Sequence, residues 1–243
     1  MHSTLINPLA TVNHHNILPL LASYQMMPQL LRERIIDNAT ALIECSPEEI
    51  EQAYQKFYQT NQIESETELQ TWLQRHSMTV TQLELAVIRP LKIQKFKQQK
   101  WEKQLESYFW QRKADLDLVV YSTIKVIDKD LAQELFFRIT EGEQTYAEAA
   151  RQYSQGIEAY TGGMMNPVGI GRLPKPLSQI LRFLNPGEVY RPVVFNNYFT
   201  IVRLEQIIPA KLNSLTAKSL LDEMFESWLQ KQLKTLESQQ DFI

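Results

Sequence analysis

The chain has 243 residues and a formal charge of −3, with 44% hydrophobic and 22% charged residues. This balance is ordinary for a globular chain, and the length suffices for one large or two small domains. The small negative charge gives no general attraction to nucleic acid or to an anionic membrane. A single cysteine cannot form an internal disulfide, which is consistent with a reducing compartment.

The start of the chain bears on its location. Residues 1–27 contain no lysine or arginine, and their longest apolar stretch, from Ile17 to Ala22, is interrupted by Pro19. A secretory signal needs a positively charged start and a continuous apolar segment, and a membrane helix needs about 20 apolar residues. We therefore expect a cytoplasmic protein without membrane insertion.

Residues 27–114 carry helical signals throughout. In the first part, apolar residues recur at the spacing of one helix face: Leu30, Leu31, Ile35, Ile36 and Ala39. Three later segments, 46–49, 65–68 and 79–82, each have a Ser or Thr followed three residues later by Glu or Gln. This is the capping-box pattern, so each segment predicts the start of a helix.

The last of these helices is predicted to run from Val80 to about Arg112. Pro90 lies inside it. Because proline lacks a backbone N–H and clashes with the preceding turn, we expect a break or kink near Arg89.

Several patterns argue against other kinds of site. The lysines of the long helix are spread around it, which favours a solvated surface over a nucleic-acid interface: Lys92, Lys95, Lys97, Lys100 and Lys103. His14 and His15 are adjacent and His76 is isolated, so no metal-ligand spacing is present. Gly169 and Gly171 lack the third glycine of a dinucleotide loop. We predict neither a metal nor a cofactor.

All seven glycines lie between Gly142 and Gly187, which marks the middle of the chain as rich in turns. The segment begins with an alternating apolar run from Leu116 to Val126. Two helical patterns, a glycine-containing loop, a third short helix, a tight turn and two strand-like runs follow. This β-α-α-loop-α-β-β order predicts a small separate domain.

After Pro209 the sequence returns to helix. Its apolar residues form one stripe: Leu221, Met224, Phe225, Trp228, Leu229, Leu233 and Leu236. A lone amphipathic helix of this kind is marginal in water, so we expect it to pack on the N-terminal helices. The predicted fold is α+β, with a helical module at 1–115, an inserted domain at 116–208 and a completing helix at 209–243.

Four motifs in the middle segment carry a family resemblance. The residues from Ser122 to Val126 resemble an S-H-I-L-V strand, and those from Gly162 to Asn166 resemble a G-G-x-L-G loop. The residues from Leu184 to Glu188 correspond to an L-x-P-G-E turn, and those from Asn197 to Ile201 to a G-x-H-x-I strand. Together they resemble the parvulin family of peptidyl-prolyl isomerases. The resemblance implies a small, mostly antiparallel sheet wrapped by short helices.

Parvulins place two histidines and a nearby Cys or Asp beneath a groove for the proline. On this resemblance Thr123 and Phe199 occupy the histidine positions and Gly156 occupies the Cys or Asp position. The four histidines and Cys45 all lie outside the segment. The resemblance therefore implies that isomerase activity is weak or lost.

At the positions of the family's apolar pocket, this sequence also has apolar residues. Met165, Leu173 and Leu177 fall on the pocket positions, although the same residues could serve only as core. Ser122 and Tyr198 are further candidates for substrate binding, since hydroxyls could act where the histidines are missing. An isomerase only needs to bind the twisted amide better than the planar forms, so some activity stays open.

The order of helices around this segment also resembles the SurA/PrsA-type foldases. It implies a chaperone, foldase or adaptor that binds proline-containing or apolar client polypeptides, with export machinery as a further partner. Two other interpretations stay open. One is a genuine, atypical peptidyl-prolyl isomerase, and the other is a structural interaction subunit.

Overall fold

The computed structural model describes residues 17–239. Five helices come first: α1 (Ile17–Ser23), α2 (Met27–Thr40), α3 (Pro47–Asn61), α4 (Glu66–His76) and α5 (Val80–Leu116). The middle of the chain contains β1 (Leu118–Val126), α6 (Lys129–Thr140), α7 (Tyr146–Tyr153), β2 (Val168–Gly169), α8 (Lys175–Phe183), β3 (Val189–Phe195) and β4 (Tyr198–Ile208). A last helix, α9 (Ser214–Gln239), follows. The interpretations of His2, His14 and His15 lie outside the described residues.

The described chain divides into two compact units. One, the helical unit, contains residues 17–105 and 217–239, and the other, the sheet unit, contains Glu106–Thr216. The helical unit is therefore built from two separated stretches of chain, with the sheet unit inserted between them. The α+β class is confirmed, while the boundaries at 115 and 208 stay a prediction.

The capping signals place the helix starts correctly. Ser46 accepts a hydrogen bond from the backbone N–H of Glu49, and the Glu49 carboxylate accepts one from the N–H of Ser46. Ser65 and Glu68 form the same reciprocal pair at the start of α4. Each box satisfies N–H groups that the first helical turn leaves without partners.

Pro90 does not break α5, and the alternative expectation of a kink near Arg89 stays a prediction. The helix runs from Val80 to Leu116 without interruption. Pro90 removes the hydrogen bond to the carbonyl of Ala86, four residues earlier. Both residues are exposed, so water can bind this carbonyl and the loss is moderate.

The apolar stripe of α9 packs within the helical unit, as predicted. Phe225 and Leu229 are buried with Ile36 of α2 and Trp101 of α5. At the edge of this cluster, Lys97 donates to Asp222 at 2.7 Å, and Arg32 and Glu226 form an ion pair. A helix that is marginal by itself gains its stability from this burial.

The four strands of the sheet unit lie in the order β2-β1-β4-β3, and all their pairings are antiparallel. One face of the sheet packs on α6 and α7 through a cluster that includes Ile124, Ile201 and Tyr146. The other face packs on α8 through Tyr121, Val202, Leu204, Leu181 and Leu184. The sheet therefore has two apolar faces, and β1 and β4 contribute to both.

Between residues 17 and 239 no helix is long and apolar enough to cross a membrane. The cytoplasmic location stays a prediction.

Tyr146 gives the sheet unit a pH-dependent stability. The residue is 1% exposed, and its single hydroxyl proton is shared between the carbonyl oxygens of Ser122 and Ile201, which lie 3.0 and 2.8 Å from the hydroxyl oxygen. Burial raises the pKa of Tyr146 well above the ordinary value. Because the folded pKa lies above the unfolded one, this stabilisation is complete below the unfolded pKa and is lost as the pH rises through the folded pKa.

We expect Tyr146→Phe to lower the free energy of unfolding by about 1–2 kcal/mol at pH 7, through the loss of the buried hydrogen bond that its hydroxyl shares between the two carbonyls. It should also flatten the decline in stability above about pH 10, the ordinary pKa of tyrosine. Urea unfolding at pH 7 and in the alkaline range measures both effects. Tyr160→Phe is the control, because Tyr160 is 90% exposed. An equal alkaline decline in the two variants would contradict the prediction.

Candidate functional site

The glycine-containing loop is fixed against the free edge of β1. The backbone N–H of Thr123 donates to the carbonyl of Gly163, and that of Met165 donates to the carbonyl of Tyr121, both at 2.9 Å. Gly163 has a φ of +91°, and a Cβ there would lie 3.0 Å from the carbonyl oxygen of Thr123. Only glycine fits this turn without strain, and the turn places Met165 beside the sheet.

The pairing of β1 with β4 decides which residues share a face. Thr123 pairs with Val202, and Lys125 pairs with Thr200. Paired residues lie on the same face and neighbours alternate, so these four residues define one face, which we call the site face. Phe199 pairs with Val126 and belongs to the opposite face.

The structure therefore does not bring Phe199 together with Thr123. Thr200 lies there instead, as a diagonal neighbour about 7–8 Å from Thr123. A shift of one residue along a strand moves every side chain to the other face, and the motif in β4 does not by itself fix the register. Sequence reasoning missed Thr200 because the register depends on pairing with a distant strand.

The two threonine hydroxyls lie beneath the surface. Thr123 is 4% exposed and Thr200 is 2% exposed. Neither Oγ1 has a hydrogen-bond partner among the described residues. Groups this deeply covered expose little surface to a ligand, and no described residue links them into a proton relay. Each hydroxyl lowers the stability of the folded state, since burying an unpaired hydroxyl costs about 1–3 kcal/mol.

We expect Thr123→Val and Thr200→Val each to raise the free energy of unfolding by about 1 kcal/mol, because valine has nearly the same shape without the unpaired hydroxyl. Thr161→Val is the contrasting variant. The single hydroxyl proton of Thr161 is shared between the carbonyl oxygens of Glu158 and Met164, so Thr161→Val should lower the free energy of unfolding. Urea unfolding shows whether each substitution raises or lowers the free energy of unfolding. A decrease for Thr123→Val and Thr200→Val would show that these hydroxyls do have partners.

The three predicted pocket residues lie together on the site-face side of the sheet. Met165, Leu173 and Leu177 are half-buried and pack against the cluster that includes Tyr121 and Leu181. Leu173 follows a short 3-10 turn, and Leu177 lies in the first turn of α8. These side chains are anchored in the core and still present apolar surface to solvent. Their role in substrate binding stays a prediction.

The two hydroxyl candidates lie on different faces. Ser122 is 1% exposed, and its Oγ donates to the carboxylate of Glu205 on the face opposite Thr123. Its hydroxyl is thus already engaged away from the site face. Tyr198 is half-buried at the start of β4 and shares the face of Thr200, two residues further on.

A buried carboxylate near Gly156 was missed by sequence reasoning. Glu158 lies in the 3-10 turn Ile157–Thr161 and is 2% exposed. Its Oε1 accepts a hydrogen bond from Ser154 Oγ at 2.7 Å, and its Oε2 accepts one from Lys125 Nζ at 3.3 Å. A Cβ on Gly156 would lie only 2.1 Å from Oε2. The carboxylate thus fills the space that a side chain at position 156 would take.

No local pattern in the sequence marks Glu158, because the turn that directs it inward is set by contacts with β1. The backbone N–H of Gln155 donates to the carbonyl of Lys125, and the N–H of Lys125 donates to Ser154 Oγ. Outside this turn lies an open cleft of about 510 Å³, with Gly156 and Tyr160 in its lining. Gly156 therefore separates the cleft from the buried carboxylate.

No imidazole is available from the sheet unit, since residues 106–216 contain no histidine. His76 belongs to α4, where its ring stacks on Trp72 with the ring centres 3.8 Å apart. Its Nδ1 lies 2.8 Å from the carbonyl oxygen of Trp72. His76 thus has a local structural role in the helical unit.

The architecture defines a class of protein: a small antiparallel α+β domain inserted into a helical module, with an apolar surface beside its central strand. Residues 125–206 match the sequence model of the rotamase family, described as the PPIC-type PPIase domain. A comparison with curated proteins finds no match. The segment 125–206 therefore belongs to the parvulin-type rotamase family, with the PPIC-type domain.

Solved structures extend the likeness to the whole chain. The peptidylprolyl isomerase PrsA from Bacillus cereus is similar over 96% of this chain and 89% of that one, with 17% identity and a TM-score of 0.54. PrsA from Bacillus anthracis is similar over 88% and 99%, with 19% identity and a TM-score of 0.48. The Bacillus cereus comparison shows that the helical unit and the sheet unit share the fold of that protein.

Proposed function

We propose that this chain is a peptide-binding chaperone or foldase whose parvulin-type domain has weak or no isomerase activity. One observation carries the proposal. The side chains that a ligand can contact at the site are the half-buried Met165, Leu173 and Leu177, together with Lys125. The deeper groups are two hydroxyls for which the described part of the chain supplies no partner and a carboxylate that already binds Lys125.

Such a surface favours binding over catalysis. The barrier to rotation about the peptide bond is about 18–20 kcal/mol, and catalysis must stabilise the twisted amide selectively. An apolar pocket contacts the proline ring in the planar and twisted forms alike, so it contributes mainly to affinity. In the different setting of an oxyanion hole, loss of one preorganised donor costs about 2.7–4 kcal/mol, a rate loss of two to three orders of magnitude, and this sets the scale of what missing donors can cost.

Two grooves in the helical unit support client binding. One, of about 550 Å³, lies between α3 and α5 and is lined by Phe57, Val87 and Leu91, among others. The other, of about 660 Å³, has Met78, Leu85 and Ile88 in its lining. Both combine apolar walls with a polar rim, the arrangement expected of a surface for apolar side chains. We infer that the clients are polypeptides with proline or bulky apolar residues, bound in the cytoplasm for delivery to export machinery.

A genuine, atypical isomerase is the second candidate. The observation in its favour is the buried carboxylate of Glu158, which keeps a charged group next to Gly156 although residue 156 has no side chain. Such an enzyme would still turn over X-Pro peptides at a measurable rate.

Leu173→Ala and Leu177→Ala test the binding site directly. Each should weaken the binding of a fluorescently labelled X-Pro peptide by roughly tenfold, because removing a half-buried leucine costs on the order of 1.5 kcal/mol. Phe183→Ala is the control, since Phe183 lies in the same helix as Leu177 and is 84% exposed. Affinity is measured by fluorescence anisotropy, and turnover is measured by exchange NMR on the same peptide.

The three interpretations give different results in this experiment. Peptide binding with cis-trans exchange close to the uncatalysed rate supports the chaperone. Fast exchange that Leu177→Ala abolishes supports the isomerase. A wild-type protein that neither binds the peptide nor accelerates exchange is a structural subunit, and the proposed function is then wrong.

A further inference from the structure

We propose that Glu158 is a positioning residue of this site. Its carboxylate takes the place of a side chain at position 156 and holds the ammonium of Lys125 on the site face. There Lys125 donates a hydrogen bond to a backbone carbonyl of the bound peptide. The inference rests on the proposed peptide-binding function and assigns a part of that site.

The contrast in burial separates the roles of the two residues. The side chain of Glu158 is 1% exposed, whereas that of Lys125 is 35% exposed. A carboxylate this deeply buried is stable only when it is paired and hydrogen-bonded, and Ser154 and Lys125 supply those contacts. Glu158 therefore does not touch a ligand itself, and Lys125 can.

The hydrogen bonds around Glu158 form a closed ring. The backbone N–H of Lys125 donates to Ser154 Oγ at 3.0 Å, and Ser154 Oγ donates to Glu158 Oε1 at 2.7 Å. Glu158 Oε2 then accepts from the Nζ of the same Lys125 at 3.3 Å. A lysine side chain normally samples many rotamers, and this ring restricts its ammonium to one region.

The position and charge of Lys125 favour a neutral acceptor. Lys125 pairs with Thr200 and lies on the site face, two residues from Thr123. Its ammonium carries three N–H donors, and Glu158 accepts one of them. Because the carboxylate neutralises the pair, the site has little net attraction for an acidic group. A charged donor still forms a stronger hydrogen bond to a carbonyl than a neutral donor does.

The geometry at Gly156 shows that the two side chains exclude each other. A Cβ there would lie 2.1 and 2.5 Å from the two carboxylate oxygens of Glu158 and 2.6 Å from its Cδ. An aspartate at 156 carries its oxygens two bonds beyond Cβ, so it can place them where the Glu158 oxygens now lie. A carboxylate can thus be supplied from position 156 or from position 158, and not from both.

Because the two side chains exclude each other, the carboxylate can be moved from position 158 to position 156 in the full chain. The variants are Glu158→Gln, Glu158→Ala, Gly156→Asp and the double variant Gly156→Asp/Glu158→Ala. The NMR signal of the Lys125 ammonium reports its position, because an immobilised ammonium exchanges its protons slowly. The Kd of a labelled X-Pro peptide reports how each variant changes the affinity of the binding site. Thermal unfolding shows which variants are folded.

We expect Glu158→Gln and Glu158→Ala to lose the slow-exchange signal and to weaken peptide binding about fivefold or more. Gly156→Asp alone should be destabilised by the overlap and by the second carboxylate. The double variant should regain the signal and a Kd within about twofold of the wild type. Lys125→Met should match Glu158→Gln in affinity, and Lys129→Met, at an exposed lysine in α6, should bind as the wild type does.

Two results would overturn the inference: a folded Glu158→Gln variant with wild-type signal and affinity, or a folded double variant that resembles Glu158→Ala. If Glu158→Ala does not fold, the isosteric Glu158→Gln still decides the question. A wild-type protein that binds no peptide refutes the proposed function. The ammonium signal then decides separately whether Glu158 positions Lys125.

Discussion

Replacing Gly163 with alanine is expected to lower the free energy of unfolding of the sheet unit by about 2–4 kcal/mol. Gly163 has a φ of +91°, and its added Cβ would lie 3.0 Å from both the Thr123 carbonyl oxygen and the ring of Tyr146. These neighbours are a central strand and a fully buried side chain, so neither moves cheaply. The free-energy cost of the conformational strain therefore adds to the cost of the overlap.

Gly142→Ala is the matched control for this prediction. Gly142 has a similar φ of +79°, but apart from its two chain neighbours no atom of residues 17–239 lies within 4 Å of the position of its Cβ. Its replacement should cost only the conformational strain, about 1–2 kcal/mol. Urea unfolding gives both values, and hydrogen exchange of the β1 and β4 amides localises the effect. Equal costs for the two variants would show that close packing at Gly163 is unimportant.

The sequence predicts those features that depend on local contacts. The capping boxes at Ser46 and Ser65 involve residues three apart, and the structure forms them as expected. The parvulin-type segment is also marked locally, since Gly163 and Gly187 both adopt the positive φ that the turns require. Local chemistry determines these features before any tertiary contact forms.

The parts of the site that sequence reasoning missed depend on distant contacts. Thr200 replaces Phe199 beside Thr123 because the register of β4 is set by its pairing with β1, which is far away in sequence. Glu158 fills the space beside Gly156 because Lys125 and Ser154 fix the turn around it. Pro90 is tolerated in α5 because it happens to lie on an exposed side of the helix. No single segment contains this information.

The second large effect concerns the aromatic cluster of the helical unit. Trp101 of α5 is 7% exposed, and its ring centre lies 6.3 Å from that of Phe225 and 6.2 Å from that of Trp228, both in α9. Phe96 completes the cluster at 5.8 Å from Trp101. Aromatic pairs at these separations add edge-to-face attraction to the large apolar area that each ring buries. Trp101 therefore holds α9 in place.

We expect Trp101→Ala to lower the free energy of unfolding of the helical unit by about 3–5 kcal/mol and to increase hydrogen exchange throughout residues 217–239. Trp110→Ala, in the same helix, removes an equal side chain that is 62% exposed and should change the stability by less than about 1 kcal/mol. Exchange in α9 that stays unchanged in Trp101→Ala would refute the prediction, since most of the stability of an amphipathic helix comes from the packing of its apolar face.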